Sequence, residues 1–180
     1  MELERIGRVL QAMKERGLSQ MIVCDPQSID YLTGVYVAPF ERLFALYLRA
    51  DGNHVFFLNK LFTVPETPLE KVWFSDTDDS IGMIAQRIQA GEPLGIDKEW
   101  TARFLLPLME RLPGTSFQLA SDCVDSVRAR KDAAEQELMR MNSRLNDEAM
   151  TRAVAYIREG MTERQVANFL MAQYKELGCE

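Results

Sequence analysis

The side chains best suited to holding a ligand stand together in one irregular stretch, Tyr31-Leu32-Thr33-Gly34-Val35-Tyr36-Val37-Ala38-Pro39-Phe40-Glu41-Arg42. It carries three aromatic rings, a carboxylate and a guanidinium, where a plain connection would carry small polar residues. Aromatic faces and an arginine fork are frequent anchors of bound groups, and loops on a rigid scaffold are where such anchors gather. The same residues admit a second reading, in which the rings cover a sheet edge and Glu41–Arg42 is a solvated pair.

Other chemistries fail on their residues. His54 is the single histidine, placed at the start of a strand beside a turn, with no second imidazole to form a metal or base pair. Cys24, Cys123 and Cys179 are far apart in sequence, so a zinc site of the usual His/Cys type is excluded. The acidic run Asp76-Thr77-Asp78-Asp79-Ser80 does not continue as a calcium loop, because Ile81 takes the glycine position and Arg87 the final glutamate. It reads as a loop and helix cap. There is no Gly-x-Gly-x-x-Gly or Walker-type phosphate loop, and no Gly-x-Ser-x-Gly elbow. The serines have no histidine to activate them. A self-contained catalytic site is therefore not expected in these 180 residues.

The elements that must position the loop follow from periodicity. Leu3, Ile6, Leu10 and Met13 recur at helical spacing, and Gly17 follows. Met21-Ile22-Val23-Cys24 reads as a buried strand. Asp25-Pro26 starts a short helix ending near Gly34, with an acceptor at N-cap and proline at N1. Arg42 to Arg49 and His54 to Asn59 flank Ala50-Asp51-Gly52-Asn53, a strong hairpin signal. Lys71–Phe74, Pro93–Asp97 and Ser116–Ala120 are further strands. Between them lie a helix carrying Ile81, Ile84, Ala85 and Ile88, and a helix from Thr101 to Leu112 with an expected kink at Pro107. The fold class is α/β, a mixed β-sheet with helices on both faces. From Ala133 onward the pattern is purely helical: one long helix ends at Gly160, and a second begins at the capping box Thr162–Gln165. Two domains are expected, residues 1–124 and 125–180.

Composition is that of an ordinary globular chain, 47% hydrophobic and 27% charged, with a formal net charge of -6. Nucleic-acid binding normally leaves a basic footprint, and there is none. No apolar run approaches the roughly 20 residues that span a bilayer, and the N-terminus does not read as a signal peptide. An odd cysteine count without a secretory signal fits reduced thiols and a cytoplasmic location.

Several pieces, in order along the chain, resemble the creatinase/prolidase/aminopeptidase P family. They are Asp25-Pro26, Tyr31-Leu32-Thr33-Gly34 with Pro39-Phe40-Glu41-Arg42, Phe57-Leu58-Asn59-Lys60, and Val127-Arg128-Ala129-Arg130-Lys131-Asp132-Ala133-Ala134-Glu135. Gly160-Met161-Thr162-Glu163 completes the set, and the Pro-Phe-Glu-Arg form most resembles bacterial Xaa-Pro dipeptidases. The resemblance implies an N-terminal α/β domain followed by the first two helices of a pita-bread peptidase domain. It implies a parent enzyme using two divalent metal ions, manganese or cobalt, with no metal ligand or catalytic residue in this chain. It implies a homodimer in which Phe40, Glu41 and Arg42 limit access to short proline-containing peptides. Trp73 falls where some members place an aromatic ring near the substrate, although core packing would also suit it. Creatinase-type amidinohydrolysis and a non-catalytic peptide- or protein-binding module are the alternatives.

Overall fold

Six short apolar runs become one sheet because their alternate residues can be buried on both faces. The computed structural model describes residues 3–179. Its strands are β1 (Gln20–Val23), β2 (Ala45–Arg49), β3 (Val55–Asn59), β4 (Glu70–Phe74), β5 (Leu94–Ile96) and β6 (Phe117–Leu119). Their spatial order is β4-β3-β2-β1-β5-β6. β2 is antiparallel to both neighbours, whereas the β1–β5, β3–β4 and β5–β6 pairings are parallel. Five strands therefore point one way, and β2 alone runs against them. The helices of this unit are α1 (Leu3–Glu15), α2 (Pro26–Thr33), α3 (Ser80–Ala85), α4 (Ala102–Arg111) and α5 (Asp122–Ala129).

Strand period two divides the core. Met21, Val23, Leu46, Leu48, Phe56 and Leu58 face one side, packed with Ile6, Val9 and Met13 of α1, Ile29 and Leu32 of α2, and Cys123 and Val124 of α5. Ile22, Ala45, Tyr47, Val55, Phe57 and Ile96 face the other, with Ile81 and Ile84 of α3 and Leu108 of α4. Each large side chain so buried contributes roughly 1.5–3 kcal/mol of transfer free energy. Helices on both faces of a mixed sheet is the architecture expected.

The helix starts are local. Asp25 caps α2 by accepting from the Gln27 and Ser28 backbone N–H groups, with Pro26 at the first helical position and Gly34 at the end in the left-handed region. Asp79 caps α3 through the Gly82 N–H. Thr101 stands at the α4 N-cap position, but its hydroxyl makes no capping bond.

Three expectations are corrected. The hairpin's first strand starts at Ala45 rather than Arg42, because the ladder with β1 and β3 begins only there. The helix α3 is shorter than its apolar spacing suggested and ends at Ala85. α4 runs through Pro107 to Arg111, with the proline inside the helix as the sequence placed it. The lost bond falls on the carbonyl of Arg103, an exposed residue within reach of water. Finally α5 was not foreseen, and the expected boundary after residue 124 falls inside it. The first compact unit runs to Arg130 because α5 packs on α1 and α2. Arg128 adds hydrogen bonds to Asp25 (3.2 Å) and Ser28 (3.0 Å) at the start of α2.

The second unit begins at Lys131 and is a helix pair, α6 (Ala133–Tyr156) and α7 (Glu163–Glu176). Both start with complete capping boxes, Asp132 with Glu135 and Thr162 with Gln165. Tyr156 and Phe169 stack across the pair at 3.9 Å, and Tyr174 donates to Asn146 at 2.6 Å. Ala149 and Ala153 are buried, while Leu138, Met141, Met150 and Val154 remain exposed. No described helix is long and apolar enough to cross a membrane.

At the C-terminal edge of the sheet, the Asp97 carboxylate is 4% exposed. It accepts from the backbone of Cys24 and Asp25 at 3.1 Å each, from Glu99 N–H at 3.1 Å and from Ser121 Oγ at 3.3 Å. These bonds tie the ends of β1, β5 and β6 together. Asp97→Ala strands those donors in a dry site, and should destabilise the chain by roughly 2–4 kcal/mol, read as a fall in the urea midpoint at constant slope.

His54 opens β3 and its Nδ1 accepts from the Arg49 backbone at 3.2 Å. Burial holds its imidazole below the usual histidine range, with Asp51 pulling the other way. A depressed folded-state value means the folded chain binds the proton less readily than the unfolded chain. That share of stability is present above the ordinary value of 6.5 and is lost as pH falls through the folded value. Thermal melts taken downward from pH 7 should therefore decline before any carboxylate titrates. His54→Asn, which keeps an acceptor without a titrating ring, should flatten that decline.

Candidate functional site

Because five strands point one way, their C-terminal ends form one edge, and there the chain's path divides at β1, with β2, β3 and β4 to one side and β5 and β6 to the other. Open α/β sheets bind ligands outside the carboxyl ends of their strands at such a point. Two clefts lie on this edge. One, of about 220 Å³, is lined by Glu41, Arg42, Asn59, Phe74, Asp76 and Arg103 among others. The second, of about 290 Å³, is bordered by Cys24, Pro39, Phe40, Arg42 and Trp100. Arg42 and Phe104 line both.

The loop between α2 and β2 narrows to a turn in which the Arg42 N–H donates to the Pro39 carbonyl at 2.9 Å. Within it Phe40 adopts a φ of 51°, the only non-glycine residue in the left-handed region among those described. For a bulky L residue that conformation costs roughly 1–2 kcal/mol. Phe40 is also 86% exposed, so no burial of its ring offsets the strain. Backbone strain held against solvent is a frequent mark of a working loop.

What offsets the strain is a set of polar contacts around Arg42. Its Nε donates to both Asp76 carboxylate oxygens at 3.2 and 3.3 Å, and Nη2 donates to Asp76 Oδ2 at 3.2 Å. Nη1 lies 3.0 Å from the Glu41 carboxylate. Asp76 in turn accepts from Asn59 Nδ2 at 2.7 Å, and Asn59 Oδ1 accepts from the Leu61 N–H at 2.9 Å. Arg103 Nη1 reaches the Glu41 carbonyl at 3.4 Å. The Arg42 guanidinium and then the Asn59 amide hold the Asp76 carboxyl below the usual range, and Asp76 raises Arg42. Both groups stay ionised at neutral pH, so the fork is permanently charge-assisted there.

Three of the four residues singled out from the sequence are thus brought together, Phe40, Glu41 and Arg42. Trp73 is not. Period two sets it on the face of β4 opposite Phe74, which lines the first cleft, and it lies 38% exposed on an edge strand. It belongs to neither cleft and neither core cluster. Sequence reasoning missed Asn59, Asp76 and Asp97. A polar residue directly after an apolar strand is the signal that could have found them, since all three stand at or just past strand ends.

The arrangement can bind and orient, and it holds no nucleophile–base pair. The Cys24 thiol is pushed up by burial and then by Asp97, so it carries no thiolate at neutral pH. His54 lies at the opposite end of β3 from the clefts. Among the described residues no three carboxylate, thiol or imidazole groups gather to hold a metal ion. These residues do not fit the divalent pair that the resemblance implies.

Comparison with known proteins identifies the domain that carries these clefts. Residues 5–130 match the family model described as the creatinase/prolidase N-terminal domain. An uncharacterized peptidase of Staphylococcus aureus (strain MSSA476) is 27% identical over 181 residues, covering 98% of this chain and 51% of the relative. The chain thus spans about half the length of the curated relatives it matches. Among solved structures, the dipeptidase PepE from Mycobacterium ulcerans superposes with a TM-score of 0.84 at 26% identity, covering 97% of this chain and 49% of that one. The recombinant prolidase from Thermococcus sibiricus gives 0.81 at 23%, over 97% and 50% of the two chains. The match over residues 5–130, on a sheet and helices of the same arrangement, places this chain in the creatinase/prolidase N-terminal domain family.

Proposed function

We propose that this chain is the N-terminal, dimer-forming and substrate-restricting part of a metal-dependent Xaa-Pro dipeptidase, a cytoplasmic enzyme about twice its length. The observation that carries the proposal is the Phe40–Arg42 turn, strained and charge-paired on the binding edge of a domain whose relatives are named as peptidases. The names prolidase and dipeptidase on its structural relatives supply the substrate class, short peptides with proline after the scissile bond. The turn offers such a peptide an exposed apolar ring, held in place by a cation between two carboxylates.

The hydrolytic step, with its two manganese or cobalt ions, belongs in this reading to residues outside these 180. The chain's own residues bind, orient and exclude. Phe40, Glu41 and Arg42 act on which peptide is accepted. Trp73, on its edge strand, is retained only as a more distant contact.

Two measurements test the reading. The 180-residue chain alone should turn over no Xaa-Pro dipeptide with or without manganese, while the protein extended through its downstream coding sequence should do so. In that extended enzyme Arg42→Ala, which frees the turn, should raise KM several-fold, on the order of 1–2 kcal/mol, and change kcat much less. A contact that persists from ground state to transition state has that signature. Unchanged KM on a dipeptide and on a longer Xaa-Pro peptide would return the turn to a solvated surface feature.

A further inference from the structure

Asp76, two residues past the end of β4, decides what Arg42 can do. Asp76 takes the Nε side of the Arg42 guanidinium through three hydrogen bonds between 3.2 and 3.3 Å, and the Glu41 carboxylate lies 3.0 Å from Nη1. Asp76 is itself fixed by Asn59, which is 2% exposed at the end of β3 and whose carbonyl is held by the Leu61 N–H. The chain of contacts runs from two adjacent strands, through Asp76 and Arg42, to the turn that carries Phe40. Strands β3 and β4 pair in parallel with Asn59 opposite Phe74, so both anchors leave the sheet at one point. Two carboxylates thus face the Arg42 guanidinium, and an incoming carboxylate would have to displace one of them.

We propose that Asp76, supported by Asn59, is a positioning residue: it clamps Arg42 so that the strained turn presents Phe40, and the selectivity of the turn is exerted by that ring rather than by ionic capture at Arg42. This rests on the reading of the chain as a substrate-restricting domain and deepens it, since it separates which residue of the turn meets the peptide from which residues hold it in place. Asp76 touches no reacting group and is not a catalytic residue.

The two roles of Arg42 give opposite signs for one substitution. If Arg42 met the substrate carboxylate directly, Asp76→Asn would release its charge and lower KM. A clamp requires that Asp76→Asn raise KM, in the same direction as Arg42→Ala, with Asp76→Glu recovering part of the loss.

A readout independent of activity uses the exposed ring. Chymotrypsin cleaves after phenylalanine only where the backbone opens, so the rate of native-state nicking at the Phe40–Glu41 bond, followed by mass spectrometry, reports the order of the turn. Asp76→Asn and Arg42→Lys, which keeps the charge and loses the fork, should each speed that nick about fivefold at an unchanged melting temperature. Equal nicking rates in wild type and both variants overturn the clamp, as does a lower KM for Asp76→Asn in the extended enzyme. Faster nicking with an unaltered KM leaves the clamp standing and overturns the substrate-restricting role of the turn instead. A variant that melts early is replaced by Asp76→Ser, at a half-exposed position, which removes the carboxylate from Arg42 and should speed the nick in the same way.

Discussion

The Asp97 carboxylate holds the edge on which every candidate contact stands. Parallel strands β1 and β5 meet where the chain's path through the sheet divides, and their C-terminal ends leave backbone N–H groups pointing out of the ladder. Asp97 gathers those of Cys24, Asp25 and Glu99, together with the Ser121 hydroxyl. A buried carboxylate is tolerated only when donors of this kind replace its water. The same close packing explains Gly95 on β5, where a Cβ would come within 2.9 Å of the Ala120 Cβ. With this edge rigid, Asp25 can cap α2 and the loop after α2 can leave the sheet from a fixed start.

On that base the turn at Phe40 is a balance of opposed terms. A left-handed phenylalanine with its ring in water is locally unfavourable. A guanidinium bound by two carboxylates, one of them anchored to a buried asparagine, is favourable and geometrically specific. An exposed ion pair is usually worth little, because two long side chains lose freedom to make it. Here the forked geometry and the link to Asn59 raise its value in the way networks do, and the contact is local enough to hold four residues. The turn is therefore held open by charge rather than by packing, which is the property a loop needs if its apolar side chain is to stay available.

The two units differ in how they are stabilised. The first buries both faces of a sheet and closes its edges with short strands. The helix pair from Lys131 relies on capping boxes, one stacked ring pair and a narrow small-residue contact at Ala149 and Ala153. Helices draw most of their stability from packing of an apolar face. Leu138, Met141 and Val154 are exposed here.

Several features were legible in the residues themselves because their causes are local. Asp25-Pro26 caps a helix wherever it occurs, Thr162 with Gln165 closes a capping box within four residues, and Asp51-Gly52 turns a hairpin without help from the core. Strands alternating with helices likewise announced a mixed sheet with helices on both faces, and the composition of the 31–42 stretch marked it out, although its first three residues belong to α2. What could not be read depends on partners distant in sequence. α5 is short, and its apolar residues gain meaning only against α1. Trp73 looked like a site residue or a core residue until strand register put it on an open edge. Arg42 and Asp76 are 34 residues apart, and only the parallel pairing of β3 with β4 brings Asp76 and Asn59 beneath the turn. Sequence by itself determined the elements and the chemical character of the loop, since propensity and capping act over a few residues. Tertiary structure alone decided where the charge of Arg42 is spent, because ion pairing depends on distances in space that no local pattern encodes.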